Sequence, residues 1–252
     1  MITLQIKQYD LVKPLFSDIS GASWHFSFMK NSNLGTVIVD KFPNTNTAYL
    51  ETPFFFYYFA GKSNKIFMED IICHIINDLI PAGETKPLFI FSPNQDWKDE
   101  IQKYLSPYIH KEIGPYLARR LLHLDNEKYN KIKEVSITPS DYIFETEIKE
   151  DNSMFIFVKY NGEEVCKCVA GSPGLGYMDF DVFTHPDHRN KGLALFCCSM
   201  LIDYCLNNNI IPQWGCWTVN IPSCKLAEKL GFIISSETKV NFAEITRDPL
   251  NH

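Results

Sequence analysis

The rhythm of hydrophobic and polar positions changes several times along this chain. Thr36 to Phe42 (TVIVDKF) and Phe54 to Ala60 (FFFYYFA) are rich in β-branched and aromatic residues, which predicts two strands. From Lys65 to Leu79 the apolar residues Ile66, Phe67, Ile71, Ile72, Ile75, Ile76 and Leu79 recur at three- and four-residue steps, the spacing of an amphipathic helix. Pro81, Gly83 and Pro87 punctuate its exit. Pro87 to Phe91 is a short strand, and Trp97 to Tyr104 a second helix capped by Asn94 or Asp96. A break falls between Ser106 and Gly114, and Leu117 to Leu124 (LARRLLHL) predicts another strand. The polar stretch Asp125 to Glu150 holds helix-forming pieces broken at Pro139.

The remainder is clearer. Ser153 to Tyr160 and Glu163 to Ala170 are strands joined at Asn161-Gly162, a pair that tolerates the positive φ of a tight hairpin. Gly171, Pro173, Gly174 and Gly176 mark a loop before a third strand, Tyr177 to Thr184. A long helix runs from Arg189 to Leu206, closed by Asn207, Asn208 and Asn209. Gln213 to Val219 is a strand, Asn220 to Leu230 a helix, and Phe232 to Ile245 strand-like. No internal repeat or low-complexity tract is visible. The alternation predicts a mixed α/β chain in two parts, an α/β region over 1–110 and a second domain over 111–252.

Composition narrows the class. The 252 residues are 45% hydrophobic and 21% charged, near the globular average, so the chain can bury a core. A formal charge of −6 disfavours a broad nucleic-acid surface. The N-terminus (MITLQIKQYD) lacks the parts of a signal peptide, and Phe54 to Phe59 is far too short for a membrane span, so a cytoplasmic, membrane-free protein is expected. The aromatic run around it reads most simply as a buried strand, with a homodimer face or a cover for a binding site as alternatives. Of the 8 cysteines, Cys166 and Cys168 share a strand face, while Cys197 and Cys198 are adjacent on a helix. No CxxC pair occurs and no histidine sits at ligand spacing. Reduced core thiols are therefore expected, and no metal.

The segment Val182 to Ala194 (VFTHPDHRNKGLA) carries the most specific chemistry. A strand ends, a proline blocks its extension, and Arg189, Gly192 and Ala194 open a helix. The first amides of a helix lack partners within it, and the helix dipole places partial positive charge there. Small residues at 192 and 194 let an anion approach the backbone, and Arg189 and Lys191 add charge. This predicts a phosphate site, with an ordinary strand–loop–helix junction as the alternative reading of this segment alone. The spacing fits neither GxxxxGK[ST] nor GxGxxG, which disfavours a P-loop nucleotidase and a dinucleotide fold.

The residues beyond the long helix make the pattern recognisable. Trp214 and Trp217 lie on a strand, then come Asn220, Ser223, and Lys229 to Phe232 (KLGF). The run Thr184, Pro186, Arg189, Gly192, Ala194, together with Asn220 and KLGF, resembles the two acetyl-CoA signatures of the GNAT acyltransferase superfamily. Thr184 stands where that family usually carries an apolar residue. PQWGCWTVNIPSCKLAEKLGF looks most like the branch containing the zwittermicin A resistance acetyltransferase. The resemblance covers the second part of the chain, leaving the first as an accessory region.

The resemblance implies a largely antiparallel twisted sheet flanked by helices, and an N-acetyltransferase using acetyl-CoA with no metal. The pyrophosphate would sit on the amides of Arg189, Asn190, Lys191, Gly192, Leu193 and Ala194. The pantetheine arm would run along Val182, Phe183 and Thr184, faced by Asn220 and Ser223. A backbone N–H near Val182 would serve the oxyanion. Many family members carry a tyrosine acid where this chain has Ala227, so Ser223, Cys224 or water would substitute. Asp179 and Asp181 share a strand face, and Asp181 is the candidate base. His185 and His188 flank phosphates or solvent. The acceptor implied is a small-molecule amine. The rivals are a protein lysine or N-terminal acetyltransferase, and a non-catalytic acyl-CoA-binding module.

Overall fold

Two stretches of the chain each close a hydrophobic core of their own. In the computed structural model, residues 1–17, 19, 25, 28–29, 35–53, 55–111, 116–135, 140–174 and 176–246 are described. One compact unit comprises Met1–Ser20, Phe28–Ala118 and Thr238–His252, the other Gly21–Ser27 and Arg119–Glu237. The division thus falls at Ala118/Arg119 rather than after residue 110, and the end of the chain belongs with the first unit.

The first unit contains β1 (Ile2–Thr3), β2 (Thr36–Val39), β3 (Thr47–Glu51), β4 (Phe56–Gly61), α1 (Lys65–His74), β5 (Thr85–Phe91), α2 (Gln95–Leu105) and β6 (Ile109–Lys111). Strands β1 to β4 pair antiparallel in sequence order, and β5 joins β4 in parallel. The helical period read from Lys65 to Leu79 is real, but its last turn, Ile75–Leu79, is π-helical. Both expected helices start on asparagine. Asn64 Oδ1 accepts from Phe67 N at 3.2 Å and Asn94 Oδ1 from Trp97 N at 3.1 Å, satisfying amides that the helices leave free. Trp97, Phe59, Tyr49 and Ile71 and Ile72 of α1 form the core, while Ile66, expected on the apolar face, is exposed. The aromatic run is a buried strand over Phe56–Gly61, with Phe54 outside the described residues. Gly114 and Pro139 also lie outside them.

The second unit holds α3 (Asn126–Val135), β8 (Ile143–Ile148), β9 (Met154–Tyr160), β10 (Glu163–Ala170), β11 (Tyr177–Thr184), α4 (Leu193–Asn207), β12 (Ile211–Trp217) and α5 (Ile221–Lys229). Two further strands, β7 (Tyr116–Leu124) and β13 (Phe232–Thr246), cross the division along the chain. The strand order is β8-β9-β10-β11-β12-β7. All neighbours are antiparallel except β11 and β12. The hairpin at Asn161 (φ 51°) and Gly162 (φ 86°) has the positive dihedrals expected of it. Helix α4 is packed on this sheet through Leu193, Cys197, Cys198, Leu201, Ile202 and Cys205. Tyr129 of α3 pins it by donating to Ser199 O and Asp203 Oδ1, both at 2.9 Å. In the first unit, Asn241–Thr246 of β13 run antiparallel to β5.

Candidate functional site

The two parallel strands of the second unit do not stay paired. β11 and β12 are in register at Tyr177↔Ile211, Met178↔Pro212 and Asp179↔Gln213, and there the ladder ends although both strands continue. Asp179 is the cause. Its Oδ1 accepts the amides of Gly215 and Phe180, each at 3.1 Å, taking donors that a ladder would use. The Arg119 guanidinium lies 4.0 Å from Asp179 Oδ2 and 5.3 Å from the centre of the Trp217 ring. Asp179 is 4% exposed and Arg119 9%, so the pair fills the crotch of the fork. Gly215 makes room for it: a Cβ there would fall 2.2 Å from Arg119 Nη2.

Backbone alternation settles which groups face the gap. His185 N–H donates outward to Val165 O on β10 at 2.8 Å, while Gly176 O accepts from Ile211 N on the β12 side at 2.8 Å. Along an extended strand successive residues point their amides to opposite sides. Val182 and Thr184 therefore turn their N–H and C=O groups into the opening between the strands. Thr184 O is engaged by Arg189 Nε at 3.1 Å, which folds the guanidinium back over the end of β11.

The turn into α4 differs from the sequence expectation. The helix does not start at Arg189 but at Leu193. Before it comes a 3₁₀ turn, Pro186–His188, in which Arg189 N–H donates to Pro186 O at 3.2 Å. That amide is committed, so the free donors are those nearer the helix start. Asn190 (φ 61°) and Gly192 (φ 81°) then swing the chain through the left-handed region. Gly192 is needed for that φ, and the space where a Cβ would stand is open. No side chain caps α4, so the amides of its first turn, beginning with Leu193 and Ala194, face outward at the positive end of the dipole. Asn190, Lys191 and Gly192 are exposed around them. His188 is held in an aromatic cluster, with Nδ1 3.1 Å from Tyr142 Oη and its ring 5.1 Å from Tyr160. The exposed His185 lies with Nδ1 3.7 Å from Asp187.

Across the gap, Asn220 caps α5 by accepting from Ser223 N at 3.2 Å. Ser223 Oγ accepts from Trp214 Nε1 at 3.1 Å, which leaves its own hydrogen available. Trp214 is core, packed on Phe180 and Phe232, whereas Trp217 lies half-buried under Arg119. Ala227 is fully buried, so no hydroxyl stands there. Of the two aspartates, Asp181 is exposed, and its carboxylate has no hydrogen bond or ion pair among the described residues. Phe183 is exposed on the same face. Arg119 and Gly215 carried no expectation from sequence. The available signal was Arg119-Arg120 inside an apolar strand: alternation puts one inward on Asp179 and the other outward on Glu237, at 2.9 Å.

The GNAT acetyltransferase family model matches residues 13–240. The chain belongs to the GNAT acetyltransferase family. The match reaches back over the first unit, where the sequence carries no motif. A curated relative, the "Uncharacterized N-acetyltransferase YdfB" of Bacillus subtilis (strain 168), is 22% identical over 94% of this chain and 96% of its own. A GCN5-related N-acetyltransferase-like protein from Streptococcus suis 89/1591 superposes with TM-score 0.66 at 18% identity, covering 94% of this chain and 98% of that one. A tandem GNAT protein from the clavulanic acid biosynthesis pathway superposes with TM-score 0.61 at 10% identity, covering 99% of each chain. The GNAT fold expected from the two signatures is the fold observed: mixed α/β, a mostly antiparallel sheet and packed helices.

Proposed function

We propose that this GNAT protein transfers an acetyl group from acetyl-CoA to the primary amine of a small molecule, by direct attack with both reactants bound. The observation that carries this reading is the open fork with Val182 and Thr184 turned into it, leading to an uncapped helix start at Gly192. The residues fit the cofactor. Extended pantetheine suits the unpaired edge at Val182, Phe183 and Thr184. Its pyrophosphate suits the amides at Gly192, Leu193 and Ala194, with Arg189, Asn190 and Lys191 around them. Asn220 and Ser223 border the far side.

When bound, acetyl-CoA supplies the activated acyl group. The chain supplies placement, which converts a two-body encounter into a first-order event. Val182 N–H offers a preorganised donor to an oxygen gaining charge. Asp181, exposed and free to move, is the candidate to take a proton from the incoming ammonium. Ser223, its oxygen held by Trp214, can hand a proton to the departing sulfur. Asp179 is committed to Gly215, Phe180 and Arg119 and sets the fork rather than the proton transfer. We place the reaction in the cytoplasm, in line with eight free cysteines, and hold the zwittermicin A resistance branch as the nearest substrate guide.

Thermal-shift titration with acetyl-CoA, CoA and ATP tests this, followed by a thiol-release screen over small amines. Stabilisation by both CoA species, weakened in Arg189→Ala, with thiol release on at least one amine, is expected. A second reading has one observation in its favour, the buried Ala227 in place of an acid. CoA-dependent stabilisation without thiol release on any amine or peptide would favour a non-catalytic acyl-CoA-binding module. Release on peptides alone would favour a protein acetyltransferase.

A further inference from the structure

Behind the cofactor strand, β10 and α4 bring three sulfurs together. Cys166 and Cys168 share one face of β10, and Cys197 comes from α4. Their Sγ atoms lie within 4.8 Å of one another, and the three residues are 1%, 0% and 0% exposed. A second, independent feature points at the same place. Thr184 stands where the family's signature is usually apolar. It is paired with Cys166 across the β10–β11 ladder, and its hydroxyl is 3.2 Å from Cys166 Sγ. The departure from the motif thus places a hydroxyl against one of the three sulfurs.

We propose that Cys166, Cys168 and Cys197 form a binding site for a single soft d¹⁰ cation of the Zn(II), Cd(II) or Cu(I) class, with the Thr184 hydroxyl as its outer support. Sulfur-only donor sets select such ions over Mg(II) or Ca(II). Metal–sulfur bonds of about 2.3 Å place sulfurs about 3.8–4.0 Å apart, so the three atoms need to draw in by at most about 1 Å. For a divalent ion the step balances as M²⁺ + 3 RSH → [M(SR)₃]⁻ + 3 H⁺, with the protons leaving to solvent. Three buried sulfurs from two elements sharing one ion would tie β10 to α4, the two elements that frame the cofactor turn. Spacing along the chain conceals the site, because Cys197 reaches the others only through the fold.

The test uses Cd(II) added to the full-length, metal-free protein during refolding under a non-thiol reductant, since the sulfurs are buried. A thiolate-to-cadmium ultraviolet band saturating at one equivalent, with protons released, is expected. It should persist in Cys73→Ser, disappear in Cys197→Ala, and form about tenfold more weakly in Thr184→Val, a typical outer-shell effect. If Cys197→Ala does not fold, alkylation mapping of the wild type replaces it. Cadmium should then shield Cys166, Cys168 and Cys197 from the reagent in a brief denaturant pulse. No band, a band unchanged in Cys197→Ala, or shielding at other cysteines would show that the cluster is packed core thiol and overturn the site.

Discussion

Each unit contains one parallel strand pair linked by a helix, and the two pairs end in opposite ways. In the first unit β4 and β5 are in register at Phe56↔Phe89, Tyr57↔Ile90 and Tyr58↔Phe91. β4 then runs on to Gly61, whose carbonyl accepts Trp97 Nε1 at 3.2 Å, and the buried Trp97 ring packs 5.2 Å from Phe59. The next helix, α1, is capped by Asn64. In the second unit Asp179 ends the pairing, the next helix has no side-chain cap, and the backbone beyond it stays open. The element order is similar: four antiparallel strands, a helix, a parallel strand, a helix and a returning strand. The first pair ends with β5 itself and is closed by the protein's own indole and amide side chain. The second diverges while both strands continue and leaves its backbone groups open. Topology supplies the parallel pair, and side chains decide how it ends.

Four experiments put that contrast at risk. Trp97→Ala should have the largest effect, about 3–5 kcal/mol of unfolding free energy by urea titration, because it empties the buried end of the β4–β5 pair. A loss below about 1 kcal/mol would show that the indole is not what closes it. Asp179→Ala should cost about 3 kcal/mol or more, since it strands a buried guanidinium, and should weaken acetyl-CoA binding as the fork loses its shape. Full stability together with normal binding would remove Asp179 from the argument. Gly192→Ala should cost about 1–2 kcal/mol through left-handed strain, and calorimetry should show weaker acetyl-CoA binding. Gly83→Ala, also at positive φ with open space, serves as the strain control with unchanged binding.

The smallest effect concerns His74 in the first unit, which lies between Glu51 (2.9 Å) and Asp78 (2.7 Å). Burial opposes its charge, but hydrogen bonds to Asp78 and Glu51 and their charges outweigh it and raise its pKa. A raised folded-state pKa makes protonated His74 stabilising below its ordinary pKa of about 6.5, with the benefit lost as pH rises through the folded value. Melting temperatures of wild type and His74→Gln should therefore differ most near pH 6 and converge at alkaline pH. The acetyl-CoA affinity of the second unit should match the wild type throughout. A gap that widens with pH would reverse the assigned sign.

Much of this architecture was legible in the residue pattern. The strand Tyr177–Thr184 matches its expected bounds, the Asn161-Gly162 turn has its expected dihedrals, and Asn94, one of the two expected caps, caps its helix. These features come from local chemistry: alternation, positive φ, and a polar atom three residues before an amide. Arg189 illustrates the limit. Its place in the signature was readable, but its amide is consumed by a 3₁₀ turn set by Pro186, so the helix begins at Leu193. Ala227 was identified as a departure from the family, and its complete burial could be seen only in the fold.

Residues close along the chain were enough to set the order of elements, the glycine turn into α4 and the family, because each of these rests on neighbours in sequence. The folded chain settled the rest. It buried Asp179 against Arg119 through the space left by Gly215, joined Cys197 to Cys166 and Cys168, and closed the end of the β4–β5 pair with Trp97 while leaving the β11–β12 fork open. Each of those outcomes needs residues far apart in sequence to share a few ångströms of interior. Packing and charge compensation set such meetings, and no local pattern records them.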